Sequence, residues 1–273
     1  MSISSISLVD THCHIHDDDY PLSPVETLEN SASSGVNRVI TMGSDVDSSL
    51  AAVDFSSNYS GQYGVDIYYG LGIHPHNIKP DSNLMVEKLR KIASQRPNNL
   101  VAIGEVGLDY YYNEQSANQQ IEGLQAQIQL AVDLNLPLSF HVRSGQYGDA
   151  FSDFWVVLNN FHSVRGVIHS FTDSEKNLEI ALKNNLLIGV NGIVTFNKQP
   201  ELDQVYNLIP LTSLVLETDA PYLSPIPFRG KPNQPASIAR IAEFMANKRG
   251  VSLSELASIT TANAGRIFSI NHN

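Results

Sequence analysis

Eight short β-rich runs recur along this chain at intervals of roughly thirty residues, close to what about 250 residues divided into eight strand–helix units would give. They are Ser7–Asp10, Arg38–Met42, Asp66–Gly72, Leu100–Glu105, Leu138–His141, Gly166–His169, Leu186–Val190 and Ser213–Glu217. Helix-period stretches lie between them. The clearest is Gln119–Leu134, where Ile121, Leu124, Ile128, Ala131 and Val132 recur at i, i+3, i+4 spacing. Met85–Ala93, Leu178–Leu182 and Ile238–Met245 behave similarly. Gly35, Gly61 and Gly250 stand where helices should stop, and Pro137 follows another such end. Eight alternations predict an α/β fold, a single (β/α)8 TIM-type barrel over residues 1–273. A doubly wound open sheet is the rival, but no glycine-rich phosphate loop follows the first run. No linker, low-complexity tract or single-sign charge block divides the chain, and Asp17-Asp18-Asp19 reads as a solvated loop.

Charge and composition narrow the function. A net charge of −11 argues against sequence-independent coating of DNA, which needs a broad basic surface. A polyanionic substrate must be held locally, by metal ions and a few basic side chains. One cysteine excludes an internal disulfide, so a reducing, cytoplasmic location is expected. The first seven residues carry no basic, apolar leader pattern, and no apolar run reaches the length of a membrane span. No membrane and no stable protein partner is expected.

In such a barrel, side chains at the C-terminal ends of the strands form the active site. The first run ends in His12 and His14, which share one face because strand side chains alternate. Two imidazoles on one face make half a metal site. The other ends supply His74 and His76, then Glu105 and Asp109, His141 and Arg143, His169, and finally Glu217 and Asp219. Six of the eight strands thus deliver histidine or carboxylate to one rim. Core packing does not explain this, because buried charge and imidazole are costly unless paired or metal-bound. Four histidines and two carboxylates can hold two divalent ions, a carboxylate bridging metals about 3.5–4 Å apart. Glu105, across the barrel from strand 8, is the natural bridge. One ion would take His12, His14, Glu105 and Asp219; the other Glu105, His141 and His169. Mg, Mn and Zn all remain open as the metal.

These motifs together resemble the TatD-type metal-dependent hydrolases of the amidohydrolase superfamily. The segments are Asp10-Thr11-His12-Cys13-His14, Gly72-Ile73-His74-Pro75-His76, Gly104-Glu105-Val106-Gly107-Leu108-Asp109-Tyr110-Tyr111, Phe140-His141-Val142-Arg143, Ile168-His169-Ser170-Phe171, Leu216-Glu217-Thr218-Asp219-Ala220-Pro221 and Arg229-Gly230-Lys231-Pro232-Asn233. The resemblance spans almost the whole chain and implies the same six ligands. It also implies a metal-dependent deoxyribonuclease, commonly a 3′ to 5′ exonuclease on single strands, with DNA as substrate. Two segments depart from the family pattern: Arg143-Ser144-Gly145, where Asp-Ala is common nearby, and Asn233-Gln234-Pro235 in place of Asn-Glu-Pro. Phosphotriesterase-like relatives usually carry a carboxylated lysine where this chain has Glu105. The same metal pair could serve a deacylase or esterase, including a D-aminoacyl-tRNA deacylase. A non-catalytic binding barrel would have no need of all six ligands.

Around the ligands, each residue has a chemical and a structural reading. Asp219 and Glu105 are the catalytic candidates, Asp219 as acceptor of the proton from water. His74 and Arg143 are candidate phosphate contacts, against a loop histidine and a rim salt bridge respectively. Arg229 and Lys231, with Lys198, form a small basic set, either on substrate or in solvent. His16 and His76 read as loop residues, Cys13 and Trp155 as packing. The Tyr110-Tyr111-Tyr112 run could stack bases but reads first as rim packing.

Overall fold

The computed structural model describes residues 6–95, 99–112 and 116–270. Residues 1–5, part of the stretch read for a leader, lie outside the described residues. Eight strands form one parallel sheet in chain order. They are β1 (Leu8–Cys13), β2 (Val36–Met42), β3 (Asp66–Leu71), β4 (Leu100–Asp109), β5 (Leu138–Arg143), β6 (Gly166–Ile168), β7 (Leu187–Val190) and β8 (Leu214–Leu216). Hydrogen bonds between the β1 and β8 ends bring the first and last strands together: Thr11 Oγ1 donates to Leu216 O, Asp219 N to His12 O at 2.9 Å, and His14 N to Ala220 O at 2.7 Å. This is the expected (β/α)8 barrel.

Helices follow the strands: α1 (Pro24–Ser33), α2 (Val46–Tyr59), α3 (Ser82–Ser94), α4 (Ala117–Leu134), α5 (Ala150–Leu158), α6 (Glu175–Lys183), α7 (Pro200–Leu208), α8 (Ile238–Arg249) and α9 (Leu253–Phe268). Gly35, Gly61 and Gly250 all take positive φ beyond helix ends, as their positions predicted. Apolar faces of the helices and outer strand faces share one large core. A second cluster fills the barrel interior. Val9, Ile40, Val101, Val167, Leu187 and Val215 come from the strands, and Ala264, Ile267 and Phe268 of α9 close its lower end.

Two corrections to the sequence reading position the site. First, β4 runs four residues past Glu105, to Asp109. Gly107 makes this possible: with φ at 156°, a Cβ there would lie 1.7 Å from the His141 carbonyl oxygen, so only glycine lets β4 and β5 pair this closely. Second, Val132 of α4 is 40 % exposed. The buried stripe instead runs through Gln120 and Gln127 as well as Leu124 and Ile128. These glutamines are anchors. Gln127 accepts from Ile73 N at 2.7 Å and donates to Ile73 O, and Gln120 pairs in the same way with both backbone groups of Asp109. Helix α4 thereby fixes the strand ends that carry His74 and Asp109. No helix among the described residues is long and apolar enough to cross a membrane.

Candidate metal centre

All six expected ligands converge at the C-terminal rim. His12 lies inside β1 with His14 just beyond it, Glu105 is midway along β4, His141 is in β5, His169 follows β6, and Asp219 lies three residues past β8. Glu105 is the hub. Its Oε2 lies 3.5 Å from His12 Nε2 and 3.4 Å from His14 Nε2. Its Oε1 lies 2.8 Å from His169 Nε2, 2.9 Å from His141 Nδ1 and 3.6 Å from His74 Nε2. Asp219 Oδ1 completes the first group, 3.9 Å from His12 Nε2 and 3.6 Å from His14 Nε2. One carboxylate thus presents a separate oxygen to each of two histidine groups.

The donor set fits divalent metal. Each imidazole has its outer nitrogen beside a fixed partner and its inner nitrogen turned to the carboxylates. His14 Nδ1 donates to Met42 O at 2.8 Å, and His12 Nδ1 bonds Ser139 Oγ at 2.9 Å. His141 Nε2 meets Asp109 Oδ2 at 3.0 Å, while His169 Nδ1 faces Glu217 Oε1 at 3.7 Å. The Met42 carbonyl and the Asp109 carboxylate put the ring proton of neutral His14 and His141 on the outer nitrogen, the tautomer that ligation requires. The inner Nε2 atoms of His12 and His14 are 3.3 Å apart, about the ligand–ligand edge that tetrahedral bonds of about 2.0–2.1 Å would give. Three His/Asp/Glu groups could each hold an ion, the first two sharing His12: His12, His14 and Asp219; His12, Glu105 and His169; and, separately, His74, Asp109 and His141.

The electrostatics agree. Burial alone would push the Glu105 carboxyl up, but His169, His74, His12 and His14 outweigh it and hold it well below the ordinary range. Burial likewise works against ionised Asp219, yet the bond to His14 and the field of His169 and His12 bring it down to about 2. Burial disfavours a charged His169, but Glu105 and Glu217 raise it to about 10. The carboxylates thus bias His14, His141 and His169 toward positive charge, which protons or divalent ions can supply, whereas burial and the neighbouring His169 push His12 down.

A cavity of about 770 Å³ opens above the cluster, with His14, His74, Tyr112, Arg143, Thr172 and Tyr222 among its walls. His74 Nδ1 accepts from His76 N at 3.2 Å, which leaves the proton of the neutral ring on Nε2, aimed inward. Burial pushes its pKa down to about 3, so the ring is neutral at pH 7. Arg143 makes no ion pair among those found for the described residues; its guanidinium carbon sits 4.0 Å over the Tyr111 ring. Arg229 and Lys231 are not brought to this cavity. Arg229 lies 3.8 Å over Phe196 and donates to Ser224 O, and Lys231 lines a separate groove with residues of α1 and α8. Lys198 is exposed. Gln234 also lines that groove and accepts from Asn30 Nδ2 at 2.9 Å.

Three further residues join the site. Asp109, 1 % exposed, accepts at Oδ2 from His141 Nε2 and lies 3.2 Å from His76 Nε2, while Oδ1 accepts from Tyr111 N at 2.8 Å. His76, read as a loop residue, is therefore part of the cavity wall. Glu217 is fully buried, and its Oε1 accepts from Ser170 N beside His169. Asp109 had a sequence signal: Glu105, Gly107 and Asp109 alternate onto one face once the strand is extended. Asp17 of the acidic triplet also reaches the cavity, accepting from Ser48 Oγ. Cys13 is buried and free, Tyr110 is buried against Asp153, and Trp155 is half-buried. Asp109→Asn should weaken divalent-metal affinity by about 10- to 100-fold, since outer partners of ligating histidines have effects of that size. Calorimetric titration of the metal-free variant with Mn²⁺ measures this, and unchanged affinity would leave Asp109 a purely structural residue.

A parallel eight-stranded barrel with this His/Asp/Glu set on its C-terminal rim defines the class: a metal-dependent hydrolase. The family model for TatD related DNase matches residues 9–269. The chain is 34% identical over 266 residues to the uncharacterized metal-dependent hydrolase YcfH of Escherichia coli K12, covering 97% of this chain and 96% of that one. It is 31% identical over 252 residues to the 3′-5′ ssDNA/RNA exonuclease TatD of Salmonella typhimurium, covering 90% and 92%. The crystal structure of YJJV, a TatD homolog from Escherichia coli K12, superposes with a TM-score of 0.87 at 28% identity, covering 99% and 100%. This chain belongs to the TatD family.

Proposed function

We propose that this chain is a deoxyribonuclease that hydrolyses single-stranded DNA from its 3′ end, using two divalent ions held by the six rim ligands. The observation that carries the reading is Glu105, whose two oxygens face two separate histidine groups. That donor geometry suits a metal pair spanning a phosphodiester. The polarity and the nucleic-acid substrate follow the Salmonella relative's name.

When bound, such a pair supplies a nucleophile near neutral pH and neutralises phosphate charge. The chain's own residues do the rest. Asp219, ionised and with 15 % of its side chain exposed, is placed to accept the proton of the attacking water. The His74 Nε2–H donates to a non-bridging phosphate oxygen. Arg143, its guanidinium carbon 4.0 Å over the Tyr111 ring, offers N–H groups to a second phosphate oxygen. Water oxygen joins phosphorus, the bond to the 3′-oxygen breaks, and that oxygen leaves with a proton. A small local grip of this kind fits a chain of net charge −11.

The test is cleavage of a 5′-labelled single-stranded oligonucleotide by metal-loaded protein. A ladder shortening from the 3′ end supports the reading, and its absence would redirect the same donors to esters, amides and aminoacyl-tRNA. Arg143→Ala should raise KM for the oligonucleotide by roughly ten- to hundredfold, the loss of charge-assisted hydrogen bonds. Steady-state kinetics decide it; an unchanged KM returns Arg143 to a role in holding the rim.

A further inference from the structure

The tyrosine run at the end of β4 splits in two. Tyr110 is packed away at 4 % exposure, whereas Tyr111 and Tyr112 are 46 % and 54 % exposed. Tyr112 faces the cavity above the ligand cluster. Its ring is braced from several directions: Tyr111 meets it edge-on at 4.7 Å, His76 edge-on at 5.5 Å, and Arg143 lies 5.2 Å from its centroid. Each brace is itself tied to the centre. Asp109 receives Tyr111 N and sits beside His76 Nε2, and Arg143 is two residues from His141 on β5. The result is a fixed aromatic surface left open to solvent beside a metal site. Across the barrel, beyond β8, Tyr222 lines the same cavity and is 58 % exposed.

Proteins that grip single strands combine aromatic faces with nearby cationic side chains, because every base has a π-face and every linkage a charge. Tyr112 and Arg143 supply that pair within one cavity. We propose that Tyr112, braced by Tyr111, His76 and Arg143, is a stacking platform for the nucleobase next to the scissile phosphodiester, with Tyr222 facing it from the far wall. The proposal rests on the nuclease reading above. It gives that reading a physical basis for strand selection: a base can lie on the platform only after leaving its pairing partner and the stack beneath it.

The experiment titrates metal-loaded protein calorimetrically with dAMP and with 2-deoxyribose 5-phosphate, which carries the same phosphate and sugar without a base. Wild type should bind dAMP roughly tenfold or more tightly than the base-free compound, the scale of one base–aromatic stack. In Tyr112→Ala that ratio should collapse toward one, and Tyr112→Phe should restore it. A parallel arm compares oligonucleotides with a normal and an abasic 3′-terminal nucleotide; KM should rise for the abasic end in wild type but not in Tyr112→Ala. Equal binding of the two small ligands by wild type, or a base preference that survives in Tyr112→Ala, overturns the platform. No base preference in wild type, with oligonucleotide cleavage intact, sinks the platform alone. A base preference without any oligonucleotide cleavage sinks the nuclease reading and leaves base recognition standing.

Discussion

Asp219→Asn should lower hydrolytic turnover by about 10²- to 10⁴-fold, the range attributed to a positioned acid–base group, while the barrel stays folded. The backbone of this residue does structural work that the substitution preserves. Asp219 N donates to His12 O, joining the β8 end to β1, and the residue sits at a φ of 57° that Asn tolerates as well as Asp. What changes is the charge. An amide lacks the negative charge that attracts His14, His12 and His169, and it cannot take a proton from water. Circular dichroism should match the wild type, and Tm should fall only by what the lost ion contributes, while kcat collapses. Wild-type turnover in the variant would remove Asp219 from the chemistry.

The barrel was legible because its signal is repeated. Eight strand–helix alternations tolerate error at any one boundary, and the His12/His14 pair, Glu105, His141, His169 and Asp219 each sit at the end of a run that the period identifies. Residues whose place depends on packing between distant segments were not legible. Gln120 and Gln127 look like surface positions of α4, yet both are fully buried because the ends of β3 and β4 need backbone partners there. Arg229 and Lys231 follow β8 in sequence, but the long connection folds back on itself. Asn233 Nδ2 donates to Thr218 O and Tyr222 O, and Arg229 is held against Phe196. Spacing along the chain carries no information about that path. The tyrosine run shows the limit most directly. Three identical residues divide into one packed and two exposed because β4 continues to Asp109 and its Oδ1 accepts from Tyr111 N.

Glu105→Gln should cost the protein most of its divalent metal, and this loss should exceed that in Asp219→Asn. Asp219 touches only the His12/His14 group, whereas Glu105 faces both groups through separate oxygens. A glutamine keeps one oxygen but replaces the other with an amide N–H donor that cannot ligate. Elemental analysis after equilibration with Mn²⁺ and desalting should therefore give near two ions per chain for wild type, about one for Asp219→Asn and well below one for Glu105→Gln, if each ion needs a carboxylate from the set named here. Stability should follow occupancy. A site held at a hundredfold over its Kd adds about 2.7 kcal/mol, which in a chain of this size corresponds to roughly 5–10 °C in Tm. Adding a chelator to wild type should lower Tm by about that amount for each ion removed, and adding it to Glu105→Gln should do almost nothing. Two ions retained in Glu105→Gln would mean that the histidines hold metal without a bridge, and that the two groups around Glu105 act as independent sites.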